Sequence, residues 1–304
     1  MKNPPVILIA GPTGVGKSAV AMAYAKLAAV NSVEIVACDA IQVYREVAIA
    51  SDKPSSEMRR RVPHHVLDVV SVVEEFNAAR YRVLASAAID DILARGKQPV
   101  IVGGSGMYMM ALLDGLFEEG GAADSLRTTL EGRELSGLYA ELQRVDPPAA
   151  AKISSNDRMR IVRALEVFHT TGVPMSVQQR KRAGIWGKYD IRLIGLERLR
   201  AELYCRVEAR VDAMFAAGLV DEVKGLLDRP LSATAARIIG VPEIKGALGG
   251  EYDLERARYL IKMHTRHYVK RQMTWFRKEK RLQWLVPGPN ETAPETAQRI
   301  KDMI

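Results

Sequence analysis

Residues 6–18 read Val-Ile-Leu-Ile-Ala-Gly-Pro-Thr-Gly-Val-Gly-Lys-Ser, and no other stretch restricts the fold as much. Val6 to Ala10 is an unbroken apolar run, the composition of a parallel strand buried on both faces. Gly11, Pro12, Thr13, Gly14, Val15, Gly16, Lys17 and Ser18 then spell G-x-x-x-x-G-K-S, and Ala19 to Ala29 predicts a helix. Strand, glycine loop and helix in that order make a phosphate-binding loop. The glycines let the backbone curl so that N–H groups converge on an anion, and the helix N-terminus adds partial positive charge. Lys17 suits phosphate oxygens, and the Ser18 hydroxyl suits Mg²⁺. The motif calls for a di- or triphosphate without saying which one, or what happens to it.

The next segments predict where partners of that loop lie. Ser32 to Ala37 reads as a second strand ending at Asp39, and Gln98 to Val102 as another ending in Gly103-Gly104-Ser105-Gly106. Carboxyl ends of parallel strands are where such sheets bind ligands, so Asp39 and Ser105 fall near the loop. A carboxylate there can hold Mg²⁺ or act as a general base. Phe76 to Arg95 is an amphipathic helix stopped by Gly96, and Lys53 to Arg61 reads as an exposed loop. His64 and His65 are adjacent and point to opposite sides of an extended chain, which makes them poor co-ligands for one metal.

Alternating strands and helices predict an α/β fold, a P-loop NTPase-like parallel sheet flanked by helices. From 121 to 185 the strand period vanishes, with turns at Gly132, Gly137 and Pro147-Pro148, so a small all-helical insertion domain is expected there. The core then comprises 1–120 and 186–304. Ser154-Ser155-Asn156-Asp157 opens a helix carrying Arg160 and Arg163 on one face. Leu199 to Ala217 carries Arg206 and Arg210 one turn apart. Leu254 to Arg281 reads as the longest helix, with Arg266, Lys270, Arg277 and Arg281 on one basic face.

Charge is uneven. Residues 1–150 hold 15 Lys and Arg against 18 Asp and Glu, whereas 151–304 hold 29 against 18. A near-neutral phosphate-loop half joined to a basic half points to a polyanionic partner such as nucleic acid. Cys38 and Cys205 make neither a disulfide framework nor a zinc site. No signal peptide or membrane span is visible, so a cytoplasmic protein is expected.

Several motifs then converge. Gly-Pro-Thr-Gly-x-Gly-Lys-Ser, Asp39-x-x-Gln42-Val43-Tyr44-Arg45, Val62-Pro63-His64-His65 and Gly103-Gly104-Ser105-Gly106-x-Tyr108, in this order, resemble the isopentenyl/dimethylallyl transferases that modify adenine. Asn156-Asp157-Arg158-x-Arg160, Arg163-Ala164-Leu165-Glu166-Val167, Arg210-Val211-Asp212-x-Met214, Ile239-Gly240-Val241-Pro242-Glu243 and Lys270-Arg271-Gln272-x-Thr274-Trp275-Phe276 resemble the branch acting on tRNA. The likeness runs from Val6 to about Trp284. It implies transfer of a dimethylallyl group from dimethylallyl diphosphate to N6 of the adenosine 3′ of the anticodon, with Mg²⁺, by a monomer. It implies Asp39 as base, Ser105 near the reacting centre, and Lys17 and Arg210 on the diphosphate. Asp39, Ala40, Ile41, Gln42, Ser105, Arg127, Met159, Arg160, Ile161, Val162, Arg163, Arg237, Lys270 and Arg271 are then expected to face tRNA.

The chain departs from the family where Ala40-Ile41 stands in place of Ser-Arg, and where Ser105 replaces Thr with the hydroxyl kept. The branch that prenylates free AMP, ADP or ATP shares Ile239-Gly240-Val241-Pro242-Glu243 and is the nearest alternative. The basic second half and the Arg163 segment disfavour it. A small-molecule P-loop kinase and a non-catalytic RNA-binding switch are further alternatives. No zinc-finger spacing is present near the C-terminus, which favours a bacterial-type enzyme.

Overall fold

A computed structural model describes residues 4–28, 32–116, 124–179 and 182–304. The chain divides into two compact units, one of Met1–Leu112 with Trp186–Ile304, the other Leu113–Ile185. The predicted helix end at Ala29 and the expected start of the insertion at 121 lie outside the described residues.

In the larger unit the chain runs β1 (Val6–Ala10), α1 (Lys17–Leu27), β2 (Val33–Cys38), α2 (Ser56–Arg61), β3 (His64–His65), α3 (Ala78–Ala94), β4 (Gln98–Gly103) and α4 (Gly106–Leu113). The smaller unit holds α5 (Asp124–Glu131), α6 (Leu135–Val145), α7 (Pro147–Ala150), α8 (Arg158–Thr171) and α9 (Met175–Gln178). The larger unit resumes with β5 (Ile191–Leu196), α10 (Arg200–Ala216), α11 (Leu219–Leu227), a 3₁₀ turn at Ala235–Arg237, α12 (Val241–Leu248), α13 (Leu254–Phe276), β6 (Gln283–Leu285) and α14 (Ala293–Asp302).

All strand pairs are parallel, in the order β3-β2-β4-β1-β5-β6. The mixed α/β architecture is therefore the predicted one. β1 and β2 are buried at every residue, β1 as an unbroken apolar run and β2 with one charged residue, Glu34, among its apolar ones. Ile7, Ile9, Val33, Ile35, Val100 and Ile194 form the centre of the core, with Ala21, Tyr24 and Ala25 of α1 laid on it. Register decides what meets at the carboxyl edge. Gly103 pairs with both Ala10 and Cys38, so the ends of β1, β4 and β2 lie side by side. Only glycine fits at 103, because a Cβ there would lie 1.9 Å from the Cys38 carbonyl oxygen.

The structure corrects three local expectations. Ser56–Arg61 is a helix, not a loop; the Ser55 hydroxyl accepts the Met58 N–H at 3.2 Å and caps it. Gly137 is no turn but sits inside α6, whose Leu138 and Leu142 are buried and outweigh one glycine's helix penalty. α13 stops at Phe276 rather than Arg281. Residues 277–281 are good helix formers, yet the chain must turn there to deliver β6 alongside β5. Trp284 of β6 then packs on Gly195, where a Cβ would come within 2.8 Å of the indole.

Glu34, 2% exposed on β2, accepts from Arg95 Nη2 at 2.8 Å and from Lys97 and His65 at 2.7 Å each. The hydrogen bond from Arg95, first among these partners, holds its carboxyl well below the usual range. Glu34→Gln is expected to cost about 2–3 kcal/mol, discounted because the cations are partly exposed. A carboxyl depressed in the folded state stabilises above its unfolded pKa of about 4.3 and loses that stability as pH falls further. The gap between wild type and variant should therefore narrow progressively as pH falls below about 4. Urea unfolding at pH 7 and pH 3 checks both parts.

The smaller unit has its own core, in which Leu130, Leu138, Leu142, Ile161 and Leu165 are buried together. Asp146, 1% exposed, accepts the Ala149 N–H at 3.1 Å and the Ser176 N–H at 2.9 Å, tying α7 to α9. Among the described residues no helix is long and apolar enough to cross a membrane.

Candidate active site

The site is built on the loop between β1 and α1. Gly11 and Gly16 have φ of +152° and +106°, values open to glycine. A Cβ on Gly11 would also lie 2.6 Å from the Leu196 carbonyl oxygen. Lys17 Nζ donates to the carbonyls of Gly11 and Pro12 at 2.9 Å each, holding the loop closed around its own cation. Helix α10 crosses this loop, and a Cβ on Gly14 would meet Val207 Cγ1 at 2.7 Å. That close approach delivers two arginines. Arg206 Nε donates to the Gly14 carbonyl at 2.7 Å. Arg210 donates to Thr13 Oγ1 at 2.6 Å and to Asp52 at 3.0 Å.

Burial brings the Lys17 ammonium down to about 8, with the Arg210 charge adding to the shift and Asp39 opposing it. At pH 7 Lys17 is thus mostly charged, and it loses its proton as pH rises through about 8. Capture of an anionic phosphate by the free protein, read as kcat/KM, should fall roughly tenfold per pH unit above that point. A bound anion favours the charged lysine, so the fall in kcat should come at higher pH. A kcat/KM profile flat to pH 10 would contradict this.

Asp39 follows β2. Its Oδ1 accepts the Ile41 and Gln42 N–H groups at 2.8 and 3.2 Å. Among the described residues its second oxygen has no hydrogen bond. Ser105, 9% exposed, follows β4 and accepts the Ala40 N–H at 3.0 Å. These bonds use the backbone of Ala40 and Ile41, so Ala-Ile here leaves the turn intact. Tyr268 of α13 lies beside Ser105, its phenol pushed well up by burial and then by Asp39.

Two cavities share Thr13, Asp39, Asp52 and Arg210 in their walls. The larger, of about 600 Å³, runs along Lys17, Ser18 and Arg206 to Ile35, Ala37 and His64. The smaller, of about 320 Å³, is more apolar, with Ile41, Met214, Leu219 and Ile239, and is flanked by Arg237, Tyr268 and Arg271. One is therefore cationic and suited to phosphate; the other suits a flat or greasy group beside a polyanion. Asp39 faces both.

Of the predicted residues, the structure brings together the loop, Lys17, Arg210, Asp39, Ala40, Ile41, Ser105, Arg237 and Arg271. Gln42 lines the larger cavity, but its Nε2 donates to the Ser51 and Asp52 carbonyls at 3.2 Å each, so it braces a turn. Lys270 is exposed on α13. Arg127, Met159, Arg160, Ile161, Val162 and Arg163 lie in the smaller unit. Ile161 and Val162 are 0% and 2% exposed and belong to its core, which corrects their expected place at an RNA surface. Met159 is 68% exposed, Arg160 pairs with Asp157 at 3.3 Å, Arg163 with Glu166 at 3.1 Å, and Arg127 with Glu131 at 3.0 Å.

The single basic face expected on α13 is corrected as well. Arg277 and Arg281 lie beyond its end, and Arg266, Arg277 and Arg281 pair with Glu208, Glu197 and Glu279 at 2.6–2.7 Å. His64 and His65 diverge as expected, His65 to Glu34 and His64 to the Val62 carbonyl at 2.7 Å. Asp52, Tyr268 and Gln272 are not among the site residues expected from the sequence. Gln272 stands in the Lys270-Arg271-Gln272 motif with no role attached to it, and helical spacing puts it with Ile261, Thr265, Tyr268 and Trp275 on one face of α13; nothing in the sequence marks Asp52.

A family profile described as IPP transferase matches residues 42–279. The tRNA dimethylallyltransferase 1 of Trichlorobacter lovleyi is 45% identical over 301 residues, covering 97% of this chain and 98% of that protein. Among solved structures, the full-length tRNA isopentenylpyrophosphate transferase of Bacillus halodurans superposes with a TM-score of 0.71 at 33% identity, over 98% of this chain and 96% of that one. A eukaryotic dimethylallyltransferase acting on tRNA gives 0.81 at 29% identity, over 94% of this chain and 74% of that one.

Proposed function

The chain belongs to the IPP transferase family, and from that premise we propose that it prenylates tRNA. The group moved is dimethylallyl, from dimethylallyl diphosphate to N6 of the adenosine 3′ of the anticodon, in tRNAs reading codons that begin with U. Diphosphate is released. One observation carries this reading: Asp39 stands in the wall of both the cationic and the apolar cavity. A base so placed can serve a nucleophile entering by one mouth while the leaving group stays in the other.

The exocyclic adenine amine is a weak nucleophile, so the allylic C–O bond must be loosened as the C–N bond forms. Its electron pair goes to the diphosphate, where charge builds. Lys17 and Arg210, both held against the loop, would meet that charge together with loop amides, and so stabilise the transition state more than the bound donor. Asp39 takes the N6 proton on its free oxygen while its other oxygen stays pinned by two N–H groups. Ser105 fixes the Ala40 amide and hence the turn that aims Asp39.

Ser18, Asp39 and Asp52 line the larger cavity and offer only hard oxygen ligands, the set Mg²⁺ takes together with substrate phosphates. Among the described residues no group of three His, Cys, Asp or Glu side chains could hold a metal without such help. Ser18, with the donor's oxygens, would hold the ion, which supplies further charge neutralisation at the leaving diphosphate. The adenine must leave its stack to enter the apolar mouth. Arg237 and Arg271, exposed in the wall of that mouth, and Lys270, exposed next to Arg271 on α13, would meet the RNA backbone.

Transfer of label from dimethylallyl diphosphate with Mg²⁺ tests the proposal, with unmodified tRNA reading U-initial codons set beside AMP, ADP and ATP. Label in tRNA alone, lost when the adenosine 3′ of the anticodon is replaced, is the expected result. Label in a free nucleotide would assign the acceptor to the nucleotide-prenylating branch. No label in either would overturn prenyl transfer.

A further inference from the structure

Gln272 is a polar side chain that the mechanism leaves unused, yet it is only 6% exposed. Its two ends reach the two halves of the site. Oε1 accepts the Thr13 N–H of the phosphate loop at 2.8 Å. Nε2 donates to the Gly104 carbonyl, just before Ser105, at 2.9 Å. Each contact continues outward. Thr13 passes by its hydroxyl to Arg210, and Ser105 passes by its hydroxyl to the Ala40 amide beside Asp39. One carboxamide therefore stands between the leaving-group cation and the base.

The backbone is shaped around this side chain. A Cβ on Gly104 would lie 2.4 Å from Gln272 Nε2. One turn further along α13, Trp275 occupies the space a Cβ on Gly106 would need, at 2.3 Å. Gly104 and Gly106 thus let α13 press two side chains into the loop that carries Ser105. A Thr13 amide held by Gln272 is also directed to protein rather than to a phosphate oxygen, so this contact fixes the loop instead of binding the donor.

We infer that Gln272 is a positioning residue that sets the separation between the diphosphate loop and Asp39. The inference rests on prenyl transfer at this site. A misplacement of about 1 Å between reacting groups costs on the order of 10²-fold in rate, and Gln272 hydrogen-bonds directly to both the phosphate loop and the loop after β4, whose Ser105 holds the turn of Asp39.

Gln272→Met keeps the length and removes both hydrogen bonds. The expected result is a fall in kcat of about 10²-fold. The Kd of labelled dimethylallyl diphosphate and the Kd of tRNA should both stay within about threefold of wild type, because every group assigned to substrate remains. A fall in kcat that merely follows the folded fraction seen in thermal melts overturns the inference, as does a kcat within threefold of wild type. Gln272→Glu keeps the Thr13 contact and loses the donation to Gly104; should the Met variant not fold, the same split between kcat and Kd is read from it. Wild-type protein run beside them separates the two ideas. Active wild type with indifferent variants removes the role of Gln272 alone, whereas inactive wild type removes prenyl transfer and this inference together.

Discussion

Asp39→Asn is expected to lower prenyl transfer by about 10³-fold while tRNA affinity stays within about threefold of wild type. Asparagine is the informative substitution because Asp39 does two things. Its Oδ1 closes a turn by accepting the Ile41 and Gln42 amides, and an asparagine oxygen can do the same. What asparagine cannot do is take a proton from the amine. Asp39→Ala removes both roles, so it should be at least as slow and less stable. Rates with saturating tRNA, beside direct tRNA binding, check the prediction. Equal loss of rate and affinity would place Asp39 in acceptor binding and take the base away from it.

Arg210→Ala is expected to cost about 10²–10³ in kcat, with a smaller effect on donor affinity. The guanidinium bridges Thr13 of the loop and Asp52 across the cavity, in a forked geometry that lysine cannot reproduce. Arg210→Lys should therefore recover only a small part of the loss. The effect belongs in kcat because charge on the leaving diphosphate peaks in the transition state. Raised donor KM at unchanged kcat would instead show that Arg210 binds donor and transition state alike. Asp52→Asn leaves the arginine in place and should have a milder effect.

How much of this was legible in the residues differs from element to element. The loop at Gly11–Ser18 announces itself, since the chemistry of phosphate binding is local to a strand, a turn and one helix N-terminus. Asp39 and Ser105 could be placed near it by one topological rule, that strand ends gather at the carboxyl edge of a parallel sheet. Arg210 was picked out because its position matches a motif. Ile161 and Val162 were misplaced because a motif does not distinguish the exposed face of a helix from the buried one. Residues 277–281 were misplaced because helix-forming composition there yields to the pairing of β6 with β5.

The sequence by itself determined the parallel α/β class, the glycine loop between β1 and α1 and the position of Asp39 just after β2, because each depends on short-range pattern and on strand order. Only the tertiary structure decided which cations are committed to acidic partners and which stand at the mouths of the cavities. It alone brought Gln272, far along the chain, between Thr13 and Gly104. A helix written in sequence shows which residues share a face, but what that face meets is fixed by packing, and packing is where this site is closed.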